Sequence, residues 1–323
     1  MDQFERGIVT IASGNDFFAQ LASNLARSFF LWHPQSAVRF QIATDRPDAF
    51  PEDVRRKAVF IPFKQGQYGD CFSPKLHLDK LTLATRETIF LDSDCLIYGS
   101  LEGAFDRFRE RQVSVLGKTA TAGYYWGKIP ERMERFKIGF HPIFGGSFYY
   151  YQQSDAARAI FERARAIEPH YDEWGFERLR GRPNEEPLMA VAMAEAEQPP
   201  VDDDGTIIGH AICHESYVRT NVFFGRTHLV NLPNRHGFDH KWPESEIHPR
   251  IVHFNNHLVG LPAYRADVTG LALRARQVPL AGTIAHQLYL PSIRGAEAIK
   301  SAVRPLVHKF VGARRVKNKR VAG

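Results

Sequence analysis

Residues 89–97 read IFLDSDCLI, an apolar run that enters two aspartates one residue apart and leaves them as another apolar run. Burying a carboxylate is costly unless something positive pairs with it, so the first question is what Asp92 and Asp94 hold. The stretch ETIFLDSDCLI predicts a strand, and on a strand residues i and i+2 face the same side, about 6.6 Å apart. At the carboxyl end of a strand in an open α/β sheet, that side opens on the crevice where ligands bind. Two oxygen ligands on one side suit a hard divalent cation, Mg2+ or Mn2+, with substrate phosphates completing its shell. Such an ion assists the departure of a diphosphate. A solvated strand end or a helix cap is the plainer reading, and for an isolated D-x-D it prevails. The metal reading gains here because the strand is the fourth in an alternating α/β half.

That alternation is legible on either side of the acidic pair. GIVTIASG (7–14) reads as a buried strand and a turn. DFFAQLASNLARSFFLWHP (16–34) places Phe18, Leu21, Ala22, Leu25 and Phe29 at helical spacing and stops at Pro34. AVRFQIATD (37–45) and KAVFIPF (57–63) are further strands, GQYGDCFSP (66–74) a loop and KLHLDKLTLA (75–84) a helix. The pattern predicts a parallel or mixed central sheet flanked by helices on both faces. In the second half, VSVLGK (113–118) and GGSFYYYQQ (145–153) read as strands. SDAARAIFERARAIE (154–168) is a helix capped by Ser154, with Ala157, Ile160, Phe161, Ala164 and Ile167 near one face. EEPLMAVAMAEAE (185–197) is another helix, and RIVHFNNHLVG (250–260) is a late strand running into a loop. No repeat or linker stands out. The expected organisation is one domain over 1–295, with a nucleotide-binding half 1–100 and an acceptor half 101–295, followed by a basic tail 296–323.

With 323 residues, 44% of them hydrophobic, the chain can bury a large core, which excludes general disorder. The net charge of +6 favours anionic partners. Eight basic residues and no acid lie between Lys300 and Arg320, so the body before them is nearly neutral and nucleic acid is not indicated. The same tail places Ile299, Val303, Leu306, Val307 and Phe310 at amphipathic spacing, with Pro305 expected to interrupt it. This pattern suits peripheral contact with an anionic membrane; a frayed, solvated end is the plainer alternative. Cys71, Cys95 and Cys213 are widely spaced without a CxxC, which suggests neither a disulfide framework nor a zinc knuckle. Reduced thiols fit a cytoplasmic protein, peripheral on the inner membrane face if the tail docks. The start MDQFERGIVTIASG does not read as a signal peptide, and no apolar stretch is long enough to span a bilayer.

These segments, taken in order, resemble the GT-A nucleotide-sugar glycosyltransferases, and among them the glycogenin-like and lipopolysaccharide-galactosyltransferase-like retaining family. IVTIASGNDFFAQLASNLARSF (8–29) looks like the opening strand and helix, and KLHLDKLTLATRETIFLDSDCLIYGSLEGAF (75–105) like the helix, strand and metal motif. FGGSFYYYQQSDAARAIFERA (144–164) is similar to the family's NSGV strand and helix, NEEPLMAVAM (184–193) to its DQDxLN helix start, and IVHFNNHLVGLP (251–262) to its late histidine strand. The resemblance implies a GT-A fold and a UDP-sugar donor with Mn2+ or Mg2+. It implies that Thr10, Ala12 and Ser13 line the uridine pocket, and that Lys75 contacts the sugar nucleotide. Asp92 and Asp94 would be the metal motif, with Asp92 also near the ribose, Ser93 among the residues binding the sugar nucleotide, and His253 the third protein ligand. Three sites depart from the family. Asn184-Glu185-Glu186 replaces DQD, Gly145-Gly146-Ser147 lacks the asparagine of NSG, and no lysine follows the late histidine. His257 and Arg265 are the candidates to grip the diphosphate in its place.

Glu185 and Glu186 open a helix, where acids favour the positive end of the dipole whatever else they do. The resemblance adds a substrate-facing role at the anomeric carbon for one of them, as general base in an inverting enzyme or as stabiliser or nucleophile in a retaining one. The spacing does not choose between the two. His210, His214, His228, His236, His240 and His248 fall in no HExxH or CxxC frame, so surface or hydrogen-bonded histidines are expected rather than zinc ligands. In SFYYYQ (147–152) one alternating set should be core, and the other could stack on a sugar. Tyr124, Tyr125 and Trp126, beside glycines, suggest an acceptor loop. The resulting expectation is a metal-dependent glycosyltransferase moving a sugar from a nucleotide-sugar donor to a saccharide, glycolipid or protein hydroxyl. A nucleotidyltransferase lacks its basic glycine-rich loop in ASGNDF, and a lapsed glycan- or nucleic-acid-binding protein is the non-enzymatic alternative.

Overall fold

In chain order the strands are β1 (Phe4–Ile11), β2 (Arg39–Thr44), β3 (Val59–Pro62), β4 (Thr85–Leu91), β5 (Cys95–Ile97), β6 (Val113–Ser114), β7 (Leu116–Ala120), β8 (His141–Phe144), β9 (Phe148–Gln152), β10 (Val201–Asp202), β11 (Ile208–His210), β12 (Val218–Asn221), β13 (Arg226–Val230), β14 (Glu246–Ile247) and β15 (Ile251–His253). The computed structural model describes residues 4–35, 37–213, 217–230 and 246–311. It divides into two compact units, Met1–Leu258 and Val259–Gly323.

The first unit is built on a six-stranded sheet of order β3-β2-β1-β4-β9-β6. The first four run parallel; β9 is antiparallel to β4, and β6 to β9. Alternation distributes its side chains between two cores. Ile8, Ile42, Ile89, Phe148 and Tyr150 face one, and Val9, Ala43, Phe90, Tyr149 and Tyr151 face the other. Both faces are covered, so Phe148–Tyr151 are all buried. The set that could have stacked on a sugar is core instead.

The flanking helices follow their local signals. In Asp16–Trp32 the Asn15 side chain accepts from the Phe17 and Phe18 N–H groups, and Leu21, Ala22, Leu25 and Phe29 are buried. The helix stops before Pro34, which disfavours helical backbone in the residue preceding it. In Asp155–Ile167, Ser154 Oγ accepts from the Ala157 N–H at 3.1 Å, and the five predicted apolar residues are buried.

The decisive stretch departs from its reading as one strand. β4 ends at Leu91, and the chain makes a tight turn in which the Cys95 N–H donates to the Asp92 carbonyl at 3.1 Å. β5 then leaves for a second sheet of order β11-β15-β5. Two carboxylates have no place inside a sheet covered on both faces, whereas aspartate suits a turn. Smaller sheets of order β10-β7-β8 and β12-β13-β14 complete the unit.

The second unit contains the helices Pro262–Ala275 and Leu290–Val311 with a π-helical turn, Ile284–Tyr289, between them. Within it Asp267 is fully buried and lies 2.9 Å from His286 Nε2. The last helix runs through Pro305, where an interruption was expected from the missing N–H. Ile299 and Val303 of the predicted apolar stripe are exposed. The side chains of Leu306, Val307 and Phe310, and residues 312–323 of the tail, lie outside what is described. Among the described residues no helix is long and apolar enough to cross a membrane.

Candidate active site

β1 and β4 are parallel with Val9 beside Phe90, so Ala12 and Ser13 leave the sheet at the edge where the Asp92–Cys95 turn begins. Thr10 and Ala12 are buried, Ser13 is half-buried, and Ser93 is buried within the turn. The antiparallel pairing of β15 with β5 sets His253 opposite Cys95, next to the acids. His253 Nε2 lies 3.2 Å from Asp94 Oδ1 and 3.9 Å from Asp92 Oδ2. One ligand atom from each of Asp92, Asp94 and His253 falls within 4.8 Å of the others. Asp94 and His253 are buried, while the Asp92 side chain keeps 24% of its exposure, which leaves the group an open side. Two carboxylates and an imidazole form a donor set that Mn2+ accepts well and Mg2+ less readily. The residues therefore fit a divalent ion.

Lys75 and the two glutamates adjoin this group. Lys75 Nζ lies 3.0 Å from Asp92 Oδ1, 3.0 Å from Glu185 Oε1 and 2.8 Å from the Gly146 carbonyl it donates to. Burial by itself lowers the lysine, but Asp92 and Glu185 outweigh it and hold Lys75 above its ordinary range. Burial raises Glu185 to about 7, against the pull of Lys75. Burial likewise raises Asp92, opposed by Lys75. For Asp94, burial is overcome by His253, and its pKa is lowered. For His253, burial is overcome by Asp94, and its pKa is raised.

The helix Glu185–Glu195 separates the two glutamates that the sequence leaves equivalent. Glu185 joins Lys75, and its Oε2 is buried without a hydrogen-bond partner. Glu186 is occupied. Its Oε1 accepts from the Gly146 N–H at 2.8 Å, and its Oε2 accepts from Trp126 Nε1 at 2.6 Å and Tyr125 OH at 3.1 Å. A Cβ at Gly146 would come within 2.9 Å of Glu186 Cγ, so the glutamates require glycine there. Tyr125 is buried and Trp126 partly so; only Tyr124 of the proposed acceptor loop is exposed. Aromatics beside glycines suggest a loop open to an acceptor because the sequence does not show that a carboxylate sixty residues on will bind two of them.

The remaining candidates have these surroundings. His257 is exposed on the short helix Asn255–Leu258. Arg265, in the second unit, donates to Tyr289 OH at 3.2 Å and lies 3.7 Å from Glu297. Of the histidine group, His214, His236 and His240 lie outside the described residues. His228 and His248 stack on each other and share Glu246. Their ligand atoms are close enough for a cation. Yet Arg219 pairs across from His228, and Arg226 is two residues before it, so two guanidinium groups share that face and oppose one. His210, by contrast, is buried with its Nδ1 3.1 Å from His253 Nδ1.

A buried pair beside the site carries a pH prediction. His141 Nδ1 is 2.7 Å from the Pro142 carbonyl and Nε2 is 3.1 Å from Arg132 Nη1, which suits a neutral ring with Nε2 accepting from the guanidinium. Burial, then Arg132, lowers His141 from 6.5 to about 4. Between those values the unfolded chain binds a proton that the folded chain refuses. Stability is complete above pH 6.5 and falls as pH drops towards 4, by up to about 3 kcal/mol from this residue. In urea denaturation from about pH 7 to about pH 4.5, His141→Gln is expected to show a shallower decline than the wild type. Parallel declines would refute the assignment.

No protein-family model matches the sequence, and no curated protein matches it. Solved structures do. The galactosyltransferase LgtC in complex with donor and acceptor sugar analogues aligns at 15% identity and a TM-score of 0.50, over 85% of this chain and 98% of that one. An active-site mutant of LgtC aligns at 13% identity and a TM-score of 0.52, over 82% and 95%. The chain has the GT-A glycosyltransferase fold, a mixed central sheet flanked by helices.

Proposed function

We propose that this chain is a metal-dependent glycosyltransferase that moves a sugar from a UDP-sugar donor to a hydroxyl of a saccharide, glycolipid or protein. The observation that carries the reading is the meeting of Asp92, Asp94 and His253 within 4.8 Å at the sheet edge, with Lys75 and Glu185 beside them. LgtC, whose fold this chain shares, was solved with donor and acceptor sugar analogues, which supports the same two substrate classes here. Thr10, Ala12 and Ser13 would border the uridine and Asp92 the ribose, with Ser93 among the residues binding the sugar nucleotide. Asp92, Asp94 and His253 would hold Mn2+ or Mg2+, which when bound stabilises the departing diphosphate. Lys75 would meet the nucleotide's negative charge while keeping Asp92 and Glu185 in place.

Glu185 is the carboxylate for the reacting carbon. Its unpartnered oxygen would gain a hydrogen bond from a substrate hydroxyl. In an inverting reaction it would take the acceptor proton, and in a retaining one it would stabilise positive charge on the sugar ring. Glu186 would act by holding Gly146, Tyr125 and Trp126. The basic, partly apolar tail from 296 onward would bring the enzyme to an anionic membrane where lipid-linked acceptors reside.

A hydrolysis screen across nucleotide sugars, with and without Mn2+, tests the reading without knowledge of the acceptor. Turnover of one donor only with metal supports it; no metal-dependent turnover or binding of any nucleotide sugar refutes it. With the donor so found, Glu185→Gln is expected to lower turnover by about 10²–10⁴-fold with little change in donor binding. Undiminished turnover would remove Glu185 from the reaction.

A further inference from the structure

His210 is a histidine set against a histidine at the back of the candidate metal group. β11 and β15 are parallel with His210 beside His253, so the two side chains project from the same side of the sheet. Their rings are nearly perpendicular, at 86°, and the Nδ1 atoms are 3.1 Å apart. Both residues are buried, at 5% and 8% exposure, so water does not compete for this contact. The other nitrogen of His253, Nε2, points to Asp94 and Asp92. The two nitrogens of His253 are therefore divided, one toward the carboxylates and one toward His210.

Of two Nδ1 atoms at this distance, one must carry the hydrogen and the other accept it. When the His253 Nδ1–H donates, its Nε2 has a free lone pair facing the acids. When the hydrogen is on His253 Nε2 instead, that nitrogen cannot ligate an ion. An acceptor at His210 Nδ1 selects the first arrangement, as outer partners of metal-bound histidines do. Gly145 makes room for the selector. A Cβ at 145 would lie 2.8 Å from His210 Cε1 and 3.1 Å from its Nε2. The glycine that stands where the related motif has asparagine thus has a local cause.

We propose that His210 is a positioning residue that fixes His253 as its Nδ1–H tautomer and presents His253 Nε2 to a divalent ion held with Asp92 and Asp94. This rests on the metal reading above, and the experiment separates the two. Mn2+ is titrated into the full-length protein without donor, and binding is followed by electron paramagnetic resonance. Electron spin echo modulation reports the nitrogen of a coordinated imidazole. His210→Phe removes the acceptor and is expected to weaken Mn2+ about 10–100-fold and abolish the nitrogen modulation, while His210→Gln, whose amide oxygen can accept, stays within about threefold of wild type and keeps it. His210→Leu serves the same comparison if the phenylalanine variant does not fold.

Wild-type affinity and modulation in His210→Phe or His210→Leu would overturn the role of His210 and leave the metal reading standing. A His210→Gln variant as impaired as His210→Phe would overturn it too, because ring shape rather than an acceptor would then be at work. If the wild type binds no Mn2+, or Asp94→Ala binds it undiminished, the metal reading fails and this role with it.

Discussion

Asp94→Ala is expected to abolish Mn2+-dependent UDP binding while leaving the fold intact. Asp94 is buried, its partner across the group is His253 at 3.2 Å, and it offers one of three atoms, gathered within 4.8 Å, that could ligate an ion. Losing an outer partner of a ligand weakens metal sites by about 10–100-fold, so losing a ligand should cost more than about 100-fold. Its removal is tolerable for folding because His253, whose pKa Asp94 helps to hold up, can shed its proton and remain a neutral buried ring. The cost should be about 1–3 kcal/mol, that of one broken buried hydrogen bond. Calorimetry with UDP, with and without Mn2+, reads the first effect, and thermal melting the second. UDP–Mn2+ binding at wild-type strength would remove Asp94 from the site.

Lys75→Met should be the more damaging substitution for stability. Lys75 is the cation in contact with both Asp92 and Glu185, and it is itself nearly buried. Removing one partner from a buried charge group costs about 3–5 kcal/mol, because the remaining charges stay desolvated. The sign with pH follows from Glu185, whose folded pKa is already raised to about 7 from 4.5 with Lys75 present. A carboxyl raised in the folded state binds a proton that the unfolded chain gives up, so its contribution declines as pH rises through that window. Without Lys75 the folded pKa rises further. The deficit of Lys75→Met relative to wild type should therefore be greater at about pH 8 than at about pH 5 in urea denaturation, the increase falling above about pH 7 where the two folded proteins differ in protonation. An equal deficit at both values, or none, would show that the carboxylates do not depend on this lysine.

Local chemistry accounts for much of what could be read in advance. Short apolar runs, the helix capped at Ser154 and the stop before Pro34 all follow from neighbouring residues, and each forms in the structure. The acidic pair is conspicuous because carboxylates between apolar runs demand a reason. His253 as its partner comes from resemblance, since it stands far along the chain from Asp92 and Asp94 in no readable pattern. The register of β15 on β5, which sets His253 opposite Cys95, is what joins them.

The sequence by itself determined most of the elements, the α/β class and the residue types gathered at the candidate site, but not that VSVLGK (113–118) divides between two sheets or that KLHLDKLTLA (75–84) forms only a kinked 3-10 helix ending at Lys80. Only the tertiary structure decided how they are used. It turned the acidic pair into a tight turn between two sheets. It sent Glu185 to Lys75 and Glu186 to Tyr125 and Trp126, a choice invisible locally because adjacent helical residues project about 100° apart and either could face inward. It also buried His210 against His253. Short-range order depends on backbone geometry a few residues long, whereas these pairings depend on strand register and on which charges share one desolvated space.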